Sequence, residues 1–222
     1  MISETFVTRF INMKRFLPIL VLLALSTCAH AQKQEKADGL TDSEWAPLFS
    51  ALASENWKDA FDLSSKYLDQ LKNDDKAESI ANLRYMLIYS AAGRVSVGQM
   101  SYDDLEKQLP KVVGKTIATP FHPLGTNCQP PMFNYTCKSS GGDFDVSITA
   151  SNRQATSILA FEYIKLAKPF DIARHQNELA TVIGTVDKIV PNPNRSTLVI
   201  LRIFTKDAEI VLQSDIKPKL KA

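Results

Sequence analysis

The sequence predicts an α+β protein in which an N-terminal antiparallel α-helical unit packs on a C-terminal antiparallel β-barrel or sandwich. Apolar residues recur with a helical period over residues 41–110, and after Lys111 the period changes to the two-residue alternation of a strand. The charge changes at the same place: residues 32–110 carry 9 basic and 14 acidic side chains, whereas residues 111–222 carry 14 and 9. We therefore expect a helical domain over residues 41–110 and an all-β domain over residues 111–214.

The first predicted helix begins at a capping box. Thr41 stands three residues before Glu44, so that the threonine oxygen and the glutamate carboxylate can accept hydrogen bonds from free backbone donors of the first turn. Apolar residues that share one helical face follow at Trp45, Leu48, Phe49 and Leu52. A second helical period runs from Trp57 to Leu71.

Two further helices are predicted before the first strand. The third contains Ile80 and ends at Gly93, because glycine is a common C-terminal cap. The fourth is short and extends from Tyr102 to Leu109, with Ser101 as its N-terminal cap and Pro110 as its end.

The stretch LFSALASENWKDAFDLSSKYLDQL resembles a tetratricopeptide-like helical hairpin. The small and apolar positions that carry the resemblance are Leu48, Leu52, Ala53, Asn56, Trp57, Ala60, Ser64 and Leu68. The glycine expected on the first helix of this family is absent, and the resemblance covers only about one and a half units. Such repeats need about three copies to bury a core, so the helices are expected to lean on the other half. The resemblance implies peptide or protein binding, and the alternative is four amphipathic helices whose apolar faces form a core.

Short strands separated by turn signals indicate a small barrel or sandwich in the second half. The turns are Ser139-Ser140-Gly141-Gly142, Ser151-Asn152-Arg153, Pro191-Asn192-Pro193-Asn194 and Lys206-Asp207. The predicted strands are 115–121, 133–138, 144–150, 157–165, 180–190, 197–204 and 209–212.

The apolar runs TVIGTV (181–186) and LVILRIF (198–204) resemble a strand pair of an oligonucleotide/oligosaccharide-binding barrel. This resemblance covers about thirty residues and implies a fold rather than a ligand, because one small barrel hosts many functions.

The start of the chain has the three parts of a secretory signal peptide. Met13-Lys14-Arg15 is a basic region, Phe16 to Leu25 is an apolar run, and Ala29-His30-Ala31 is a small-x-small cleavage site. Cleavage between Ala31 and Gln32 is therefore predicted. Residues 1–12 precede the basic region and are interpreted as a start-site overcall. The chain is predicted to be secreted or periplasmic, and the alternative is a membrane-anchored lipoprotein with the lipid on Cys28.

Removal of residues 1–31 makes the chain formally neutral. The 26 basic and 24 acidic residues become 23 and 23, because three basic residues and one acidic residue leave with the signal. This removes the simplest argument for nucleic-acid or anionic-membrane binding, and neither partner is expected. A disordered leader is predicted for residues 32–40, a basic tail for residues 215–222, and no membrane span after the signal.

Cys128 and Cys137 are predicted to form a disulfide. Loss of Cys28 with the signal leaves an even pair in an oxidising compartment. Two alternatives are a zinc site with His122 and a thiol nucleophile paired with a histidine. The nine-residue spacing of the cysteines lacks the paired pattern of structural zinc sites, so neither a metal nor a cofactor is expected.

These observations favour an exported, non-enzymatic accessory protein that binds a protein or an extracellular ligand. The sequence contains neither a Gly-x-Ser-x-Gly elbow nor a Gly-x-x-x-x-Gly-Lys loop. One alternative is a hydrolase that uses His122 or His175 with a carboxylate in an interdomain cleft. Another is polysaccharide or nucleic-acid binding on the barrel face. The candidate binding surface is Trp45, Trp57, Tyr135, Arg153 and Tyr163.

Overall fold

The computed structural model describes residues 39–71, 78–125, 145–151, 157–193 and 199–216. The α-helices in these ranges are α1 (Asp42–Ala53), α2 (Trp57–Gln70), α3 (Glu78–Ser96) and α4 (Tyr102–Glu106). The strands are β1 (Thr116–Ala118), β2 (His122–Pro123), β3 (Asp145–Ser151), β4 (Ser157–Leu166), β5 (Leu179–Pro191) and β6 (Leu201–Leu212). Short 3₁₀ turns occupy Leu109–Lys111 and Gln213–Asp215.

Several predictions lie outside the described residues. They concern the signal peptide with its cleavage between Ala31 and Gln32, the lipid site at Cys28, residues 32–38 of the leader, the Cys128–Cys137 disulfide, the surface residues Tyr135 and Arg153, and residues 217–222 of the tail.

The strands form one mixed open sheet rather than the predicted antiparallel barrel or sandwich. The strand order is β1-β5-β6-β4-β3, and β2 also pairs with β5. β4 and β6 run parallel, and the other pairs are antiparallel. The chain passes from β4 to β5 and then to β6, and β6 lies between β4 and β5 in the sheet. Because β5 is antiparallel to both of its chain neighbours in direction, β4 and β6 run parallel. Among the described strands β1 and β3 lie at opposite edges, so the sheet is not closed.

β6 is one long strand where the sequence predicted two strands and a turn. Lys206-Asp207 does not reverse the chain; Asp207 takes a positive φ of 51° within the strand. The pairing with β5 shifts register here, from Ile183 opposite Glu209 to Thr185 opposite Lys206. A β-bulge in β6 therefore accommodates one extra residue at the position where the sequence predicted a turn.

α3 lies between α2 and the sheet, where it contacts β1 and β4. Its side chains are buried around most of its circumference, including Leu83, Leu87, Ile88 and Ala91 at 0% exposure. A helix that is apolar on all sides is typical of an interior position. The predicted end at Gly93 is wrong, because α3 continues to Ser96 and packs the Gly93 backbone directly against the Trp57 ring.

The predicted caps of α1 and α4 are confirmed. The Glu44 carboxylate accepts a hydrogen bond from the Thr41 backbone N–H at 2.8 Å. The Ser101 hydroxyl accepts one from the Asp104 N–H at 3.1 Å. α4 is shorter than predicted and ends at Glu106, after which a 3₁₀ turn follows.

One continuous hydrophobic core joins the helices to the sheet. Leu48 and Ala60 from the first two helices belong to the same buried cluster as Phe161 and Ile203 from the sheet. A polar contact crosses the same boundary: buried Arg84 of α3 donates a hydrogen bond to the Thr116 carbonyl of β1 at 3.0 Å. The helices therefore share their core with the sheet, as the sequence predicted.

Candidate functional site

Trp57 is part of the core and does not belong to an accessible surface of this fold, contrary to its predicted place in the binding surface. Its side chain is 2% exposed and lies at the first position of α2. Trp45 is half-buried and stacks on Phe49, with ring centroids 5.3 Å apart. Tyr163 is 39% exposed on β4. The predicted surface residues therefore do not form one patch among the described residues.

Trp57 begins a column of aromatic rings that links α2, α3 and β4. Its ring meets Tyr89 edge-on, with centroids 5.3 Å apart, and Tyr89 stacks on Tyr85 at 5.8 Å. Tyr85 in turn stacks on Phe161 of β4 at 6.2 Å. Burial raises the pKa of both tyrosine hydroxyls well above the usual range, so the column stays uncharged at neutral pH. Its arrangement is that of a packed core rather than a reactive site.

His175, one of the two candidate catalytic histidines, has a carboxylate partner. Its Nδ1 lies 3.0 Å from Glu178 Oε1, and its ring lies 5.1 Å from that of Phe170. This pair lies in the segment between β4 and β5, where both side chains are partly exposed. His122 is half-buried on β2, opposite Ala180. A histidine–carboxylate pair is necessary for the predicted hydrolase, but the pair does not line the cavity described next.

A groove between α1 and α2 is a candidate binding site among the described residues. Its volume is about 510 Å³, within the range of ligand-binding pockets. Its lining comes from the two helices and the turn between them and consists of Pro47, Ser50, Ala51, Ser54, Asn56, Asp59, Asp62, Leu63 and Lys66. The α2 positions in this lining lie on the face opposite the buried residues Trp57, Phe61 and Ser64. The groove is therefore on the outer side of the helical layer.

Polar contacts fix the α2 wall of this groove. The Asn56 side chain caps α2 and donates a hydrogen bond to the Asp59 carboxylate at 2.6 Å. Lys58 and Asp62 form an i,i+4 ion pair at 2.7 Å, and the Asp62 carboxylate raises the pKa of Lys58. Asp59 and Asp62 lie one helical turn apart, so their carboxylates are on neighbouring positions of one face. The groove thus combines apolar side chains with two carboxylates and the ammonium group of Lys66.

A polar periodicity in the sequence of α2 corresponds to this wall of the groove, although only the apolar periodicity entered the prediction. Asp59, Asp62 and Lys66 recur at i, i+3 and i+7, which is a polar helical stripe opposite the apolar one. Apolar periodicity identifies the buried face, whereas a groove is formed by the edges of two exposed faces.

The outer face of the sheet carries a second polar cluster. Arg202 of β6 donates hydrogen bonds to the Glu162 carboxylate of β4, with Nη2 and Oε1 2.6 Å apart. These hydrogen bonds lower the pKa of Glu162 and raise that of Arg202. The Lys188 ammonium lies 4.4 Å from the centre of the Phe204 ring. The cations of this cluster are thus engaged by a carboxylate and by an aromatic ring.

The described part of the chain holds no cluster of three or more histidine, cysteine or acidic side chains arranged for a metal ion. Within the same residues no helix has the length and apolarity needed to cross a bilayer. Comparisons with family models, with curated proteins and with solved structures find no match to this chain.

Proposed function

We propose that this protein is an exported, non-enzymatic accessory protein that binds a polypeptide segment in the groove between α1 and α2. The observation that carries this proposal is the groove itself, with a volume of about 510 Å³ on the outer side of the helices. Export is supported by the three-part signal at residues 13–31. Polypeptide binding agrees with the tetratricopeptide resemblance, which falls on these two helices.

The chemistry of the groove supports a peptide ligand. Ala51 and Leu63 offer apolar contact, while Ser50 and Asp59 offer hydrogen-bonding groups. Specific pockets combine a mainly apolar lining with a few polar groups that fix the orientation of the ligand. A peptide also has both kinds of group along its length.

Crosslinking and affinity capture from the native cell envelope test this proposal. Ser50→Arg places a long cation in the groove at an exposed position, and Gln176→Arg adds the same charge at an exposed position between β4 and β5. We expect the wild type and Gln176→Arg to capture the same partner, and Ser50→Arg to lose it. Equal capture by all three proteins would exclude the groove as the binding site.

The hydrolase remains the alternative, because His175 and Glu178 lie within hydrogen-bonding distance. Assays of the purified protein against ester, glycoside and phosphoester substrates separate the two proposals. Turnover that His175→Ala abolishes and His122→Ala retains would assign catalysis to this pair and contradict the non-enzymatic proposal.

A further inference from the structure

Two β-bulges lie at the same level of the sheet, one on each side of β6. In β4 the pairing with β6 skips Glu162, and Tyr163 next to it lies opposite Phe204. In β5 the pairing skips Asp187, and Lys188 next to it lies opposite the same Phe204. Both residues of each bulge are exposed, whereas a regular strand turns only every second side chain to one face. Bulges re-aim side chains in this way and are frequent beside functional sites.

The carboxylate of each bulge binds a cation of β6. Arg202, Phe204 and Lys206 occupy alternate positions of β6 and therefore share the outer face of the sheet. Arg202 donates hydrogen bonds to Glu162 of the first bulge, and Lys206 Nζ lies 2.8 Å from Asp187 Oδ1 of the second. Arg202 and Lys206 are about 13 Å apart along the strand, so the two ion pairs flank the aromatic position between them.

The two bulges, Arg202, Phe204 and Lys206 together form a surface, the outer platform, with aromatic rings at its centre. Tyr163 is 39% exposed, and Phe204 beside it is half-buried with the Lys188 ammonium 4.4 Å from its ring centre. Neither ring belongs to the hydrophobic core that joins the helices to the sheet. The packing of the core therefore does not require aromatic residues at these two positions.

Stability does not account for the polar part of the platform either. The side chains of the pair between Arg202 and Glu162 are 34% and 43% exposed, and those of the pair between Lys206 and Asp187 are 50% and 48% exposed. Exposed ion pairs contribute at most about 1 kcal/mol, and each bulge interrupts the hydrogen-bond ladder of the sheet. An arrangement that adds little to stability but orders seven side chains on one face points to a ligand.

The charge balance of the platform selects the chemistry of that ligand. Both carboxylates are paired with cations, and the Lys188 ammonium lies over a ring, so a charged ligand would have to displace an existing partner. A hydroxyl group both donates and accepts hydrogen bonds, so it can bind a carboxylate and its cation without separating them. Exposed aromatic rings complement the C–H faces of sugar rings, which carry hydroxyl groups along their edges.

We propose that the outer platform binds a neutral oligosaccharide. A sugar ring lies on Tyr163, and hydroxyl groups of this unit and its neighbours bind the two ion pairs. The distance of about 13 Å between the cations of these pairs lets more than one sugar unit contact the platform. The platform shares no residue with the groove between α1 and α2, so this inference goes beyond the proposed function and does not depend on it.

Titration of the isotope-labelled exported protein, after signal removal, tests the inference by two-dimensional NMR. The probes are neutral oligosaccharides of glucose, mannose, galactose, xylose and N-acetylglucosamine. We expect at least one of them to shift the amide signals of β4, β5 and β6 in a saturable manner. Tyr163→Ala should weaken this binding about tenfold, because a stacked ring is lost, and Tyr163→Phe should retain it.

Two further variants and their controls separate the platform from the rest of the surface. Glu162→Gln removes one carboxylate of the platform and should also weaken binding, whereas Glu209→Gln removes an exposed carboxylate of β6 outside the platform and should not. Val97→Ala is the matched control for Tyr163→Ala, because Val97 is an exposed apolar residue on another surface.

Failure of all five sugars to bind at concentrations up to the millimolar range would overturn the inference. Binding that survives both Tyr163→Ala and Glu162→Gln would do the same, as would retention of single-stranded DNA or heparin by a protein that ignores the neutral sugars. Circular dichroism checks each fold, and where Tyr163→Ala unfolds, Tyr163→Thr replaces it because threonine favours strands. Ser50→Arg should bind the sugar like the wild type, so loss of partner capture and loss of sugar binding are separate results.

Discussion

Replacement of Gly93 by alanine tests the contact on which the position of α2 depends. A Cβ atom at this position would lie 2.2 Å from Trp57 Cδ2 and 2.4 Å from Cε3. Carbon atoms in contact are ordinarily about 3.5–4.0 Å apart, so the ring would have to move by more than about 1 Å. Trp57 has little room to do so, because it is 2% exposed and held edge-on by Tyr89.

Two effects of opposite sign decide how much Gly93→Ala changes the free energy of unfolding. Alanine is favoured over glycine inside a helix by about 1 kcal/mol. Forcing an extra methyl group into a packed core costs typically about 1–3 kcal/mol, and the short distances at Gly93 point to the upper end. We expect a net loss of about 2 kcal/mol in the free energy of unfolding, and for a chain of this length a Tm lower by about 4–8 °C.

Urea denaturation followed by circular dichroism measures this loss, and a double-mutant cycle assigns it to the ring. In the Trp57→Leu background the clash is absent, so Gly93→Ala should be neutral or should stabilise by up to about 1 kcal/mol. If Gly93→Ala destabilises both backgrounds equally, or stabilises the wild type, the packing of α3 against α2 is not as described.

Three further predictions concern the sheet and the cysteines. Gly184→Ala should lower the free energy of unfolding by about 1–3 kcal/mol, because the added Cβ would lie 2.8 Å from Ala208 Cβ of β6. An unchanged urea denaturation curve would refute this prediction. Glu162→Gln should cost less than about 1 kcal/mol at pH 7, since the ion pair with Arg202 is partly exposed. The pKa of Glu162 is lowered on folding, so its contribution is present above the unfolded pKa and is lost as the pH falls through the folded pKa; a difference between wild type and variant that persists in acid would contradict the assignment. Mass spectrometry of the unreduced protein should find Cys128 and Cys137 resistant to alkylation, and reduction should cost about 2.5–3 kcal/mol; labelling of both thiols would exclude the bond.

Local signals in the sequence predicted the helices well. Thr41 with Glu44 and Ser101 with Asp104 are short-range pairs, and a cap is decided within one helical turn. The predicted helix end at Gly93 was wrong because glycine can have two structural roles, and the sequence alone does not distinguish them. A glycine that ends a helix relieves backbone strain, whereas Gly93 lies inside α3 and makes room for the Trp57 ring.

The sheet was harder to predict because its pairing is not local. Lys206-Asp207 has the composition of a turn, yet a bulge with one positive φ accommodates the same residues within β6. The parallel pairing of β4 with β6 depends on the position of β5 on the other side of β6, and the spacing of residues in the sequence does not predict that position. Alternation predicts that a segment is a strand and which side chains share a face, but it does not select the neighbouring strand.

The burial of α3 explains why the candidate site lies where it does. With one side packed on the sheet and the other on α2, where its Tyr89 meets Trp57, α3 leaves no exposed apolar face for a ligand. α1 and α2 form the outermost layer, and their shared edge carries side chains that the core does not require, such as Ser50 and Asp62. Substitutions at these exposed positions change the groove with little effect on stability, whereas substitution at Gly93 lowers stability through the core. Binding and folding can therefore be measured independently in this protein, and a loss of partner capture in Ser50→Arg without a change in unfolding would be a property of the groove.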